Sequence, residues 1–260
     1  MHTLTFGAIK HKSPAYFLCT IRVICIAFPL LVLLPLHLCW QICRAPSPWP
    51  VVFFRMSAHV LGMDIKSDGA PLRKNVFFVA NHVSWHDVLV LAGLTGTTFV
   101  AQHGVRTWPI IGWLAKLHRT VFVVRTDKHN VANQVAKLRS ALNNNRCITL
   151  FPEGTTSDGQ QLLPFKQSLF ATVSPPPKSL MLQPVFIDFG KAATDIAWIG
   201  EETGWESAWR AFTRRGRYDV IVHFLEPFDP AELADRKMVC AAARSKIAEA
   251  MSSSLGYKIS

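Results

Sequence analysis

The sequence predicts an α/β fold: a mixed, largely parallel sheet flanked by helices, with an N-terminal membrane-embedded helical segment. Three observations carry this. Short continuous apolar runs recur after residue 75, helical periodicities lie between them, and a long uncharged apolar stretch precedes both. At 260 residues and 29.1 kDa, the chain has room for one substantial core plus an appendage.

The appendage comes first. Half the residues are hydrophobic and 17% are charged, whereas a soluble domain carries about 25% charged residues. The apolar excess is concentrated in residues 15–43, AYFLCTIRVICIAFPLLVLLPLHLCWQIC. From Val23 to Cys43 no residue is charged, and as a helix about 21 residues span roughly 30 Å, one hydrocarbon core. A cleaved signal peptide needs a shorter apolar core and a small-residue cleavage site, and a buried soluble helix is rarely this long. The segment therefore reads as a membrane anchor, either a transmembrane helix or a hairpin bent at Pro29 and Pro35. Lys10, Lys12 and Arg22 precede the run while Arg44 and Arg55 follow it, so charge does not orient it. Pro46, Pro48 and Pro50 then break the chain. This divides it into an anchor with its break, 1–50, and a globular domain, 51–260.

Within that domain a helix is expected over 51–62, and strands over 76–80, 97–101, 121–125, 147–151, 181–189 and 218–225. Val131, Val135, Leu138 and Leu142 recur at helical spacing. So do Leu233, Val239, Ala243 and Ile247, in a C-terminal helix whose start is signalled by Asp229-Pro230. The segment from Gly200 to Trp205 reads as a surface loop.

The net charge is +11. Its basic residues form no single tract and no stripe interleaved with aromatics, which argues against nucleic acid as a partner; beside an apolar anchor, attraction to anionic lipid headgroups is the better account. Cys19, Cys25, Cys39, Cys43, Cys147 and Cys240 include no CxxC pair, so neither a metal site nor a disulfide framework is indicated, and a reducing compartment is expected.

Three stretches carry candidate chemistry. In FVANHVSWHDVLVL a strand stops at Asn81-His82, and Asp87 follows in H-x4-D spacing. On one regular helix these two side chains would not face each other. With His82 at a strand-to-helix turn, Asp87 folds back from the first helical turn and fixes the imidazole tautomer, leaving the other nitrogen to accept a proton from a hydroxyl. No Ser or Cys sits at an obvious nucleophile elbow, so the base would activate a substrate hydroxyl. His86 is a decoy beside the same aspartate. The second stretch is ITLFPEGTTSDG, where Gly154 permits close backbone approach and Glu153 offers a carboxylate; Lys166 follows at the start of a helix. In the third, GVRTWPIIGWLAKLHRTVFVVR, a strand ends at Arg125, whose fork suits a phosphate in the crevice of an open sheet.

In this order the stretches resemble the glycerolipid acyltransferase family, the 1-acylglycerol-3-phosphate acyltransferases and their relatives. The family pattern N-H-x-S-x-x-D, with its HX4D motif, is met by Asn81, His82, Ser84 and Asp87. Its second block corresponds to Pro109, Gly112 and Arg125, its third, F-P-E-G-T, to 151–155, and its fourth to 182–185. The resemblance covers about residues 51–255. It implies a transferase of phospholipid biosynthesis and lipid metabolism. In such an enzyme His82, oriented by Asp87, deprotonates a lysolipid hydroxyl, which attacks the thioester of acyl-CoA or acyl carrier protein. No metal or cofactor is implied. Asn81, Ser84, Arg119, Arg125, Glu153, Gly154, Thr155 and Lys166 are then expected at the acceptor. The implied acceptor is 1-acyl-sn-glycerol-3-phosphate, and the implied location the inner membrane, with the domain on its cytoplasmic side. The family more often has Arg at Thr156, Lys at Gln102, and Gly at Arg119 and Ser168. Fewer cations face a phosphate dianion, which is expensive to bind without them. The E-G-T-T-S form also resembles relatives that acylate lysophospholipids or lyso-ornithine lipid. A lipid-binding protein that kept the fold without catalysis is the alternative of a different class.

Overall fold

The computed structural model describes residues 13–43, 45–107, 109–123, 135–136, 138–140, 142 and 147–259. Helix α1, Ser13–Ile42, runs unbroken through Pro29 and Pro35, so no hairpin forms at the prolines. It is long and apolar enough to cross a membrane by length and composition, and little of it is buried. The chain turns at the Pro-rich stretch into α2, Trp49–Val60, with Trp40 and Trp49 packed edge to face across the turn. Near its start α1 is tied to the globular domain. The guanidinium of Arg22 donates to the carbonyls of Ala211, Phe212 and Arg214.

Seven strands form one sheet: β1 Met63–Asp68, β2 Val76–Ala80, β3 Thr98–Gln102, β4 Val121–Val123, β5 Ile148–Leu150, β6 Met181–Asp188 and β7 Tyr218–Phe224, in the order β1-β7-β6-β2-β5-β3-β4. Every pairing is parallel except β6 with β7, so the sheet is mixed and largely parallel as expected. Residues 124 and 125 of the strand expected over 121–125 lie outside the described residues, as does Val131. The further α-helices with described bounds are α3 His86–Thr95, α4 Pro109–Leu117, the single turn α5 Ala193–Ile196, α6 Gly204–Thr213 and α7 Arg236–Leu255; residues 135–136, 138–140 and 142 are helical too.

Strand β2 sits mid-sheet and is buried on both faces, which is why it reads as an uninterrupted apolar run. Its period of two divides it between two cores. Val76, Phe78 and Ala80 pack with Ala58, Val90 and Leu91 on one face; Phe77 and Val79 pack with Phe170, Val239, Ala243 and Ile247 on the other. Burying each phenylalanine contributes roughly 2–3 kcal/mol.

Two expectations need correction. Strand β1 was not anticipated: Met-Asp-Ile-Lys-Ser-Asp is mostly polar, because it pairs on one side only, with β7. The C-terminal helix starts at Arg236, not at Asp229-Pro230. Asp235 caps it by accepting from the N–H groups of Lys237 and Met238, while Asp229 caps only the 3-10 turn Pro230–Glu232.

Candidate active site

Strands β2 and β5 are parallel neighbours, so the loops leaving their carboxyl ends are adjacent. The first holds His82 and leads into α3; the second holds residues 151–159. Asp87, in the first turn of α3, is fully buried, and its Oδ2 accepts from His82 Nδ1 at 2.6 Å. The same oxygen accepts from the N–H groups of Val83 at 2.7 Å and Ser84 at 3.0 Å. A carboxylate only accepts, so Nδ1 carries the proton and Nε2 presents a lone pair. The His82 side chain is 20% exposed, so the imidazole is not sealed off from the surface. Phe151 stacks flat against the imidazole, with centroids 4.1 Å apart and planes within 14°. Asp87 Oδ1 has no hydrogen-bond partner among the described residues. A buried, half-satisfied carboxylate is costly, and an imidazolium at His82 is positioned to neutralise it.

The backbone of His82 is held from both sides. Its N–H donates to Glu153 Oε1 at 2.7 Å, and its carbonyl accepts from the Ser157 N–H at 2.8 Å. Glu153 Oε2 accepts from the Leu163 N–H at 3.0 Å. Burial pushes the Glu153 carboxyl up to about 8, against the pull of these two N–H donors. Asn81 does similar work at the other side of β2. Its amide donates to the Ile187 carbonyl at 3.1 Å and accepts from the Ile187 N–H at 2.8 Å, copying one step of a sheet ladder.

These contacts change the roles expected for three residues. Asn81, Ser84 and Glu153 are all buried. Ser84 Oγ is bonded to His86 Nδ1 at 2.8 Å. The polar atoms of all three are committed to the protein, so they shape the loop that carries His82 and do not form its substrate-facing surface. His86 remains a decoy. It is buried against Trp85, and desolvation pushes its imidazole down to about 3, so it stays neutral.

Gly154 takes a left-handed φ of 75°, and its N–H closes a turn on the Phe151 carbonyl at 3.2 Å. Thr155 is exposed beside it. Lys166 is exposed too, and its N–H donates to the Pro152 carbonyl at 2.9 Å, which brings it to the same loop. Arg119 is a correction. It lies just past α4 with a left-handed φ of 61°, at a helix terminus that favours glycine. It precedes β4, which runs parallel to its sheet neighbours, so it belongs to the amino edge of the sheet, whereas His82 follows the carboxyl edge. From strand rise and spacing alone the two are on the order of 20 Å apart. Arg125 lies outside the described residues.

The sequence reading missed Phe151 as the imidazole's stacking partner, although it stands in the F-P-E-G-T block. It also missed a third segment that joins the two loops. The Trp198 N–H donates to the Val83 carbonyl at 3.0 Å, and the Thr156 hydroxyl donates to the Trp198 carbonyl. No side-chain pattern signals a contact made by backbone. A legible signal did exist nearby: Thr203-x-x-Glu206 is a capping box that starts α6 inside the supposed surface loop.

The profile of the acyltransferase family matches residues 64–188. The lyso-ornithine lipid O-acyltransferase of Rhizobium meliloti is 36% identical over 86% of this chain and 82% of its own length. The 1-acyl-sn-glycerol-3-phosphate acyltransferase of Neisseria gonorrhoeae is 28% identical, over 70% of this chain and 71% of its own. Among solved structures, the 1-acyl-sn-glycerophosphate acyltransferase PlsC of Thermotoga maritima superposes with a TM-score of 0.69 at 21% identity. The match covers 94% of this chain and 96% of that one.

Proposed function

The chain belongs to the acyltransferase family, and from that premise we propose that it is a membrane-bound O-acyltransferase that acylates the free hydroxyl of lyso-ornithine lipid. The observation that carries the chemistry is the His82–Asp87 pair, joined at 2.6 Å with the His82 side chain partly exposed. His82 Nε2 takes the hydroxyl proton as the oxygen attacks the thioester carbonyl carbon. Asp87 stabilises the imidazolium that results. When the tetrahedral intermediate collapses, the carbon–sulfur bond breaks and the imidazolium returns its proton to the departing thiolate. The products are the ester and the free thiol of CoA or carrier protein, and His82 is again neutral. Helix α1 holds the domain at the membrane surface, on the cytoplasmic side, where both substrates meet.

The acceptor is argued from charge. A lysophosphatidic acid headgroup is a phosphate close to a dianion, whereas ornithine offers one carboxylate and one ammonium. Neutral Gln102 and Thr156 stand where cations serve phosphate-binding relatives, and Thr156 is bonded to the Trp198 carbonyl. Lysophosphatidic acid remains the second reading, favoured by the exposed Lys166 beside the 151–157 loop. The test gives membranes carrying the protein, or its His82→Ala variant, labelled acyl-CoA and acyl carrier protein with a panel of lysolipids. His82-dependent acylation of lyso-ornithine lipid is the expected result. Acylation of lysophosphatidic acid alone would replace the acceptor and keep the mechanism; no transfer from either donor would overturn the whole reading.

A further inference from the structure

We propose that α4 is a second membrane-contacting element, whose Ile111 and Trp113 enter the interface of a bilayer bearing anionic headgroups, alongside α1. The inference rests on the membrane reading of α1 given above. Helix α4 shares an open apolar groove with the anchor helices: its Leu114 and Leu117, with His118 just past its end, face Leu30 and Leu34 of α1 and Phe54 of α2. At 100° per residue, Trp113, Leu117, Leu114, His118 and Ile111 follow one another around a single face. The groove-lining residues are its middle, and the two edge residues are left out in the open: Ile111 is 50% exposed and Trp113 46%. Leu31, Val32, Leu38 and Trp40 of α1 are exposed as well.

The helix cannot roll over to bury these edges. Its opposite side is pinned at Gly112, where a Cβ would stand 2.3 Å from the Arg106 carbonyl oxygen. Charge identifies the partner. Arg106, Lys116 and Arg119 are exposed around α4, and no Asp or Glu occurs from Val88 through Arg125. A tryptophan and an isoleucine beside cations that make no ion pair among the described residues fit the headgroup layer of an anionic membrane. The same arrangement gives Arg119, which lies far from His82, a use at the lipid surface.

The test uses the full chain in vesicles of three parts phosphatidylcholine to one part phosphatidylglycerol with brominated acyl chains. Fluorescence of the protein is compared with that of its Trp113→Phe variant, each checked for an unchanged thermal midpoint, so that the difference isolates Trp113. The expected result is a Trp113 signal quenched by bromine, protected from aqueous iodide, and less quenched when phosphatidylglycerol is omitted. An Ile111→Ser variant should weaken that quenching by about half. A Trp113 signal open to iodide and untouched by bromine, while Trp40 of α1 is quenched, would overturn the proposal and leave the anchor standing. Protection from iodide without bromine quenching would overturn it in favour of a protein partner. No bromine quenching of any tryptophan would remove the membrane reading together with it.

Discussion

Asp87→Asn separates charge from position at the candidate base. The Asn carbonyl oxygen can keep the place of Asp87 Oδ2, accepting from His82 Nδ1 and the N–H groups of Val83 and Ser84. Its amide then falls where Oδ1 has no partner among the described residues. Tautomer and ring orientation survive, and one unit of negative charge is lost. That charge lies about 4 Å from the centre of the imidazolium, an attraction of about 4 kcal/mol at an effective dielectric of 20. His82 is partly exposed, so solvent reduces this to about 2–4 kcal/mol, a fall in kcat of about 30- to 1000-fold. Stability should move the other way. A buried carboxylate with one unsatisfied oxygen is exchanged for a neutral group, so the thermal midpoint should hold or rise. The assay pairs initial rates of labelled acyl transfer at saturating acceptor with thermal unfolding. Added to His82→Ala, the substitution should cost nothing further, because both act on one step. A single variant within about threefold of the parent rate would refute the argument that Asp87 works through its charge.

Other outcomes follow from the same contacts. Glu153→Gln can accept at only one atom, so the N–H of His82 or of Leu163 faces an amide nitrogen; we expect about 1–3 kcal/mol of destabilisation, seen in denaturant midpoints, with a lowered kcat. His86 is held down to about 3 when folded and titrates near 6.5 when unfolded. The unfolded chain therefore binds the extra proton. This contribution to stability is complete above pH 6.5 and is lost as pH falls toward 3, at about 1.4 kcal/mol per unit; His86→Gln should flatten that slope in thermal scans from pH 7 to 5. Arg22→Met removes three bonds to the carbonyls of 211, 212 and 214, and should cost about 2–4 kcal/mol in detergent-solubilised protein.

Much of the fold was legible because β2, β5 and β6 are buried on both faces and leave unmistakable apolar runs. The His82–Asp87 contact was legible for a related reason, since a strand ending at a histidine leaves only one way for the next helical turn to return. The edge strand β1 was not: it needs only one apolar face, its Asp64 pairs with Arg217, and its Asp68 is hydrogen-bonded to His223. Polar residues misled in a consistent way. Asn81, Ser84 and Glu153 look like groups waiting for a ligand, yet each is occupied by a backbone or side-chain group distant or adjacent in sequence. Sequence reveals which residues can bond, but whether the partner is substrate or protein depends on depth. Arg119 misled through alignment with a block whose strand begins, and does not end, beside it.

On the proposed mechanism the joined loops also set how much of the chain must be made before the site is framed. His82 and Asp87 are made early, but the loop that clamps His82 arrives at 153–157, the strand that Asn81 stitches to arrives at Ile187, and the backbone that ties both loops arrives at Trp198. These are long-range closures, slow to form and dependent on one another. A nascent chain ending before β6 holds both members of the His82–Asp87 pair without the frame that aims them. On the proposed mechanism such a chain would be inactive, and competence would arrive only when most of the chain has emerged.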